Sequence, residues 1–526
     1  MLGEEFGELE TDSTRRTGHD RQLSDGVFHG APTVGMTTSR AEDGRGGLRH
    51  GKGDAAGDTS SRFSAHWIQA RVFVHAAAGL QMSRDSRLRA PRNCPHYCRV
   101  RMRQSAVLGL LLTALTAAGC ATRTTAVSTP TAGVVSSAPV RPGLDQFIAS
   151  PPAWARGKRI GLITNVAGID SRGRNNIDLL AADPRFRLTA LFAFEHGLRG
   201  DAPAGQAIAS GTDEKTGLPV YSLYGDVREP TVEMLRDVDV LMYDVQDVGA
   251  RPYTRVSTMA LSMKAAAAKG IPFAVLDRPN PIGGTIVEGP VLDPAFASFV
   301  GMYPIPLRHG MTVGELARMY NARFGIGATL YVVPVQGWRR DMTFDATGLT
   351  FIPPSPNLRR LEATRLYPGT VLLEGTNLSE GRGTEFPFEQ TGAPWLRPED
   401  VIREMNTLAL PGVRYEAVRI PVAADGRRFP GTTIPGVRLV VTDRGTFRAV
   451  RTAMLLIDTI HRLWPNEFAW AGSNQREPGL RTIDRLAGTD RFRTAVDAGT
   501  LRTLLDEWDR QADAFRAVRA PFLLYR

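Results

Sequence analysis

The sequence predicts an α/β protein, a Rossmann-like doubly wound parallel sheet domain joined to a smaller α+β auxiliary domain. Three observations carry that prediction. From about residue 143, apolar runs alternate with helical patterns. The runs are almost continuously apolar, as in strands covered by helices on both faces. Each run also ends in polar residues, at the strand ends where open parallel sheets collect ligands. The 526 residues, 42% hydrophobic and 22% charged, supply ample apolar mass for such a core and exclude wholesale disorder, collagen or a coiled coil.

The first elements are not globular. Met102-Arg103 follows Arg99 and Arg101 and precedes an apolar run, Ala106 to Leu115, which leads into Ala117-Ala118-Gly119-Cys120. A basic stretch, a short apolar run and small residues before a cut describe a secretory signal peptide at 102–120. The run falls short of the ~20 residues that span a bilayer. Small residues leading into Cys resemble a bacterial lipobox, with lipidation of Cys120 and cleavage before it; a buried helix that ends in Cys is the alternative. On the lipobox reading, residues 1–101 are a disordered, non-native upstream extension and Met102 is the start. Residues 121–142, rich in Thr, Ala, Val, Ser and Pro, read as a flexible tether. Ala121 after the cysteine favours the periplasmic face of the outer membrane, so the expected partners include the membrane through that anchor.

Charge and rare residues exclude several functions. The net charge is +10, but 59 of the 64 basic residues are arginine and they are spread along the chain, without the aromatic-interleaved patch of a nucleic-acid binder. No Gly-x-Gly-x-x-Gly follows the first strand, so no nucleotide is expected. Only His196, His309 and His461 follow Cys120, which leaves no His-rich metal site and no implied cofactor.

The sheet domain is expected over 143–340. Its strands are Arg159 to Asn165, Arg187 to Phe194, Val238 to Asp244 and Pro272 to Asp277. Helical patterns cover Asn176 to Ala182, Thr231 to Asp237, Val256 to Lys269 and Thr312 to Asn321, the last with Thr312 and Glu315 spaced as a capping box. After the break at Pro353-Pro354-Ser355-Pro356, the auxiliary domain (341–526) shows strands at 415–421 and 436–442 and helices at 398–407, 446–463 and 498–517. Its polar, Gly-rich stretch Leu372 to Glu385 is placed to close over the sheet's crevice.

The chemistry gathers at the strand ends. In Phe194-Glu195-His196-Gly197, a carboxylate directly after an apolar strand stands at the sheet rim, half shielded by aromatic neighbours; that environment raises its pKa and suits a general acid. Capping a helix or pairing with Arg199 is the structural alternative. Further polar segments run Tyr243 to Thr254, Asp277 to Gly284, Arg308 to Thr312 and Glu374 to Thr384. Taken singly, each could be turn chemistry or a surface ion pair.

Together, in this order and spacing, the segments resemble the exo-acting β-N-acetylmuramidases, the NamZ/YbbC-like family, from about 143 to the end of the chain. The resemblance implies an active site in a cleft between a Rossmann-like domain and an auxiliary domain. It also implies release of N-acetylmuramic acid from the non-reducing end of peptidoglycan fragments without metal or nucleotide, with Glu195 matching the family's catalytic glutamate. Glycoside cleavage generally takes a second carboxyl group, for which Asp244, Asp247 and Glu380 are candidates. Muramic acid carries a lactyl carboxylate that a guanidinium would pair with; Arg251, Arg278, Arg308 and Arg382 could supply it. Tyr253 and Asn280 suit contact with the sugar, and His196, Asp277, His309 and Asn377 complete the expected binding set. A non-catalytic peptidoglycan-binding lipoprotein, or a cell-wall esterase or amidase, are the competing readings. The latter lacks a Gly-x-Ser-x-Gly or Ser-x-x-Lys context after Cys120.

Overall fold

The computed structural model describes residues 139–194, 197–198, 210–473 and 479–526. The leader, Cys120 and nearly all of the tether lie outside them, as do Glu195 and His196. The first half carries α1 (Gly143–Ala149), β1 (Arg159–Thr164), α2 (Asn176–Ala182), β2 (Arg187–Ala193), β3 (Gly211–Thr212), β4 (Pro219–Ser222), β5 (Val240–Asp244), α3 (Arg255–Lys269), β6 (Phe273–Leu276), β7 (Glu288–Val291), β8 (Pro306–Arg308), α4 (Val313–Arg323) and β9 (Leu330–Val333). One sheet takes the order β3-β4-β2-β1-β5-β6-β9, and every pairing in it is parallel except β3 with β4. β7 and β8 form a separate antiparallel hairpin.

The apolar strands are buried on both faces, as their patterning demands. Ile160, Leu162, Leu191 and Met242 face Phe147 of α1 and Ile177 and Leu180 of α2. Ile163, Phe192, Leu241 and Tyr243 face Met259 and Met263 of α3 and Leu316 of α4. The sheet is therefore doubly wound. The α4 capping box closes in both directions: Thr312 Oγ1 accepts from the Glu315 N–H (3.3 Å), and Glu315 Oε2 accepts from the Thr312 N–H (3.1 Å). α3 stops at Gly270, whose φ of 72° is the left-handed cap that glycine favours.

The second half holds α5 (Leu361–Thr370), β10 (Gln390–Gly392), α6 (Pro398–Thr407), β11 (Val413–Pro421), β12 (Thr433–Val441), α7 (Ala449–Leu463), α8 (Thr482–Ala487), α9 (Arg491–Asp497) and α10 (Leu501–Arg519). β10, β12 and β11 make a small antiparallel sheet in that order, so this half is α+β. Its core joins Leu366, Leu456, Trp508 and their neighbours to Val248, Ala250 and Tyr253 from the loop after β5. The chain then returns to the parallel sheet. Ala512 and Phe515 of α10 enter its core, and the Tyr525 hydroxyl donates to Asp277 Oδ2 (2.5 Å).

One local expectation differs from the structure, and one helix lies where none was expected. Thr231 to Asp237 forms turns, not a helix; only Leu235 of its apolar residues is fully buried, and Val232 stands 79% exposed. Seven residues without a buried face cannot offset the cost of helix nucleation. Conversely, α5 forms despite Pro368 and Gly369. Gly369 lets α7 approach so closely that a Cβ there would lie 2.0 Å from the Ala449 carbonyl oxygen.

Candidate active site

The chain runs from β1 outward to β2 and β4, then returns to β5 and β6. The topological switch therefore lies between β1 and β5, where Thr164 and Asp244 are in register. The strand-end residues there bind chiefly one another. Arg278 donates from Nε to Asp244 Oδ1 (2.6 Å) and from Nη2 to Oδ2 (3.0 Å). Asn176 Nδ2 donates to the same Oδ2 and to Thr164 Oγ1, both at 2.7 Å. Asp244 is fully buried and held in a bidentate ion pair. It and Arg278 tie three strand ends to α2.

Most of the other expected site residues are likewise built into the frame. Asp277 accepts from Thr312 Oγ1 (2.7 Å), the Gly314 N–H (2.8 Å) and Tyr525; burial pushes its carboxyl up to about 6. Asn280 donates to the Met311 carbonyl (2.9 Å) and accepts from the Ile282 N–H (3.1 Å). Arg308 donates to Glu288 (2.9 Å) and to the Ile282 carbonyl (2.9 Å). Arg251 donates to three backbone carbonyls, Pro290 (3.3 Å), Ile305 (3.0 Å) and Leu486 (2.9 Å), and so links the two halves. Its desolvated guanidinium falls to about 9. Asn377 bridges the Glu467 carbonyl and the Ala469 N–H. Asp247 accepts from the Gly249 N–H (2.7 Å) and faces His309 Nε2 at 3.5 Å; the Met311 N–H donates to His309 Nδ1, which assigns the ring proton to Nε2. None of these residues lines the cleft described next.

A cleft of about 280 Å³ opens between the two halves. The loop after β5 and the start of α3 contribute Pro252, Tyr253, Thr254 and Arg255, the loop after β4 contributes Tyr224 and Arg228, and the opposite wall holds Tyr367, Glu374, Arg382 and Phe388. Of the expected residues, Tyr253 and Arg382 are here. The Tyr253 hydroxyl donates to the Pro354 carbonyl (2.9 Å), and its ring meets Tyr367 edge-on at 6.2 Å. Phe388 holds a left-handed φ of 63°, which costs a non-glycine residue about 1–3 kcal/mol and sets its ring into the wall beneath Arg382, 5.0 Å away.

Arg382 is anchored from behind. Nη2 donates to Glu374 Oε1 (2.8 Å), and Nε lies 3.3 Å from Glu380 Oε1. Arg427 Nε approaches that same oxygen at 3.3 Å. Burial, and then repulsion by Glu374, push the Glu380 carboxyl above its ordinary range against the pull of the two arginines. Across the cleft the Arg255 guanidinium sits 4.8 Å from the ring centre of Phe194, the residue that precedes Glu195. Sequence reasoning missed Arg255, Arg228 and Tyr367. Nothing in their local pattern separates them from ordinary helix and loop residues, although Glu374 opens the polar stretch singled out above.

The sequence matches the model of the N-terminal domain of the exo-β-N-acetylmuramidase NamZ over residues 160–362, and that of its C-terminal domain over 365–525. The chain belongs to the NamZ family. It is 47% identical over 387 residues to the peptidoglycan β-N-acetylmuramidase NamZ of Bacillus subtilis, a match that covers 73% of this chain and 91% of that protein. Two DUF1343 family proteins of Bacteroides fragilis, known from crystal structures, share the fold. One has a TM-score of 0.67 at 34% identity and the other 0.57 at 30%, each covering 74% of this chain and 99% of its own. The two NamZ-family domains meet within α5, and the cleft draws its walls from both.

Proposed function

We propose that this NamZ-family chain is an exo-acting β-N-acetylmuramidase, a glycoside hydrolase that releases N-acetylmuramic acid from the non-reducing end of peptidoglycan fragments. The observation that carries the reading is the cleft itself, walled by both family domains. Its volume of about 280 Å³ is near the lower end of small-molecule sites, at the scale of a single sugar, and Arg228, Arg255 and Arg382 line it. The relative that matches over nearly its whole length is named for the same activity, so a non-catalytic wall binder or an esterase is not favoured.

In this reading Glu195 is the general acid. It directly follows Phe194, which is buried against Tyr243 just past β2, and it matches the family's catalytic glutamate by resemblance; a carboxyl in that role protonates the leaving oxygen. Arg382 is the choice for the lactyl carboxylate: it reaches the cleft, and Glu374 and Glu380 fix its orientation. A guanidinium so held can pair with an incoming carboxylate without first losing side-chain freedom.

The test is turnover of an aryl N-acetylmuramide beside the matching N-acetylglucosaminide. The protein should cleave the first and strongly prefer it. Glu195→Gln should slow cleavage of a natural disaccharide roughly 10²–10⁴-fold, and slow a nitrophenyl leaving group less. Full disaccharide turnover by a folded Glu195→Gln variant would remove Glu195 from the mechanism.

The basic, apolar and small-residue succession ending at Cys120 supports the further proposal of a lipoprotein on the periplasmic face of the outer membrane. Among the described residues no helix is long and apolar enough to cross a membrane. Intact-mass analysis of the cellular protein should find lipidated Cys120 as its first residue; retention of residues 1–101 would rule this out.

A further inference from the structure

The proline break between the two halves, Pro353 to Pro356, leads the chain past the cleft, where Ser355, Asn357 and Leu358 line it. A proline ring fixes φ at about −65°, so Pro353, Pro354 and Pro356 leave this segment little backbone freedom to lose when a ligand arrives. It is also tied down at both ends. The Pro354 carbonyl accepts from the Tyr253 hydroxyl (2.9 Å), in the loop after β5, and from Asn165 Nδ2 (3.5 Å), directly after β1. Past the prolines, the Leu358 N–H closes a turn on the Ser355 carbonyl (2.9 Å), and the Leu358 side chain is buried in the core of the second half.

Asn357 sits between these anchors, half-buried. Its N–H reaches Ser355 Oγ at 3.5 Å, but its side-chain amide has no hydrogen-bond partner among the described residues. Other polar side chains of the cleft are engaged: Glu374 and Arg382 bind each other, and the Tyr253 hydroxyl is taken by Pro354. The cleft also carries Leu358, Tyr367 and Val371, members of one apolar cluster. A ligand that fills this space displaces water from the Asn357 amide. One that bonds to the amide replaces that water; one that does not leaves a donor and an acceptor unpaired, at a cost in affinity.

We propose that Asn357 is a specificity-determining residue that hydrogen-bonds the 2-acetamido group of the sugar, whose methyl packs on the apolar surface of Leu358, Tyr367 and Val371. The assignment rests on the muramidase reading. N-Acetylmuramic acid offers a carboxylate, hydroxyls and an acetamide. The carboxylate calls for a guanidinium, and a hydroxyl gains nothing from an apolar surface. The acetamide is neutral, carries both a donor and an acceptor, and ends in a methyl. A side-chain amide in a cleft that also holds an apolar cluster answers all of these. A charged side chain in its place would lose more on desolvation than a neutral acetamide returns. Because the prolines and the bonds to Pro354 already fix the segment, the contact forms without first ordering it.

Competitive inhibition of aryl N-acetylmuramide cleavage by two free sugars tests the assignment. One is N-acetylmuramic acid; the other is 3-O-lactylglucose, which keeps the lactyl group and has a hydroxyl in place of the acetamide. The wild type should bind the first more tightly. In Asn357→Ala and Asn357→Leu the inhibition constant of N-acetylmuramic acid should rise roughly 3–10-fold, as for loss of a hydrogen bond between neutral groups, while that of 3-O-lactylglucose stays within twofold. The Leu variant keeps the branched shape of Asn without its donor and acceptor, so it separates the lost bond from an enlarged cleft. Both variants should melt like wild type, because no bond within the protein is removed. Equal affinity of the wild type for the two sugars, or a ratio of the two constants that either variant leaves unchanged, would overturn the proposal. If the wild type itself fails to cleave the muramide, it is the muramidase reading that falls.

Discussion

Arg278 separates a structural guanidinium from a substrate-binding one. Its two bonds to Asp244, at 2.6 and 3.0 Å, lie in a region where both side chains are nearly sealed from water. In Arg278→Met the methionine fills much of the volume, but Asp244 keeps only Asn176 as a side-chain donor among the described residues. Leaving half of a buried ion pair costs about 3–5 kcal/mol. At about 1.2 °C per kcal/mol for a folded chain of this size, the melting temperature should fall by roughly 4–6 °C. Adding Asp244→Asn removes the stranded charge, so the double variant should recover much of that loss. The preference for muramide over glucosaminide should survive in every folded variant. The assays are a thermal melt and the ratio of kcat/KM on the two substrates. An Arg278→Met protein that melts like wild type but no longer prefers the muramide would refute the reasoning and make Arg278 a contact of the lactyl group.

Arg382→Ala should show the opposite pattern. A desolvated partner of the lactyl carboxylate is worth about 2–5 kcal/mol, so kcat/KM for the muramide should drop at least about 30-fold more than for the glucosaminide, whatever loss both share through Glu374; equal losses on both would argue against pairing with the lactyl group. Asp277 predicts a pH dependence of stability. Its carboxyl is raised to about 6 in the fold, from near 4 unfolded, chiefly by burial. The native state therefore binds the extra proton, and the associated stability, about 3 kcal/mol, is fully present below pH 4 and is lost as pH rises through 6. Chemical denaturation across that range should show the decline, and Asp277→Asn should flatten it; a variant with the same slope as wild type would assign the titration elsewhere.

Much of the fold was legible because its signals are local. The strands at 159–164, 187–193 and 273–276 are continuous apolar runs, and their burial on both faces is what such runs require. The helix at 176–182, the capping box at Thr312 and the helix at 398–407 needed only neighbouring residues to define them. The edge strand Leu330–Val333 and the hairpin of Glu288–Val291 with Pro306–Arg308 left weaker marks, since short segments gain their stability from partners remote in sequence. α5 was hidden by Pro368 and Gly369, residues that argue against a helix until α7 is seen to need the close approach.

The site divides the same way. By itself the sequence determined which polar residues follow directly on buried strands, because the apolar runs that define those strands are local. It could not say which of those side chains face the cleft and which face one another. Arg251, Arg278, Arg308 and Arg382 are equivalent as letters. In space the first three turn their guanidinium groups to buried carbonyls or carboxylates away from the cleft, and of the four only Arg382 lines it. The partners that decide this, such as Leu486 for Arg251 across 235 residues and Asp244 for Arg278 across 34, come together only in the folded chain. A guanidinium is free to bind a ligand only when tertiary packing has not already satisfied its donors.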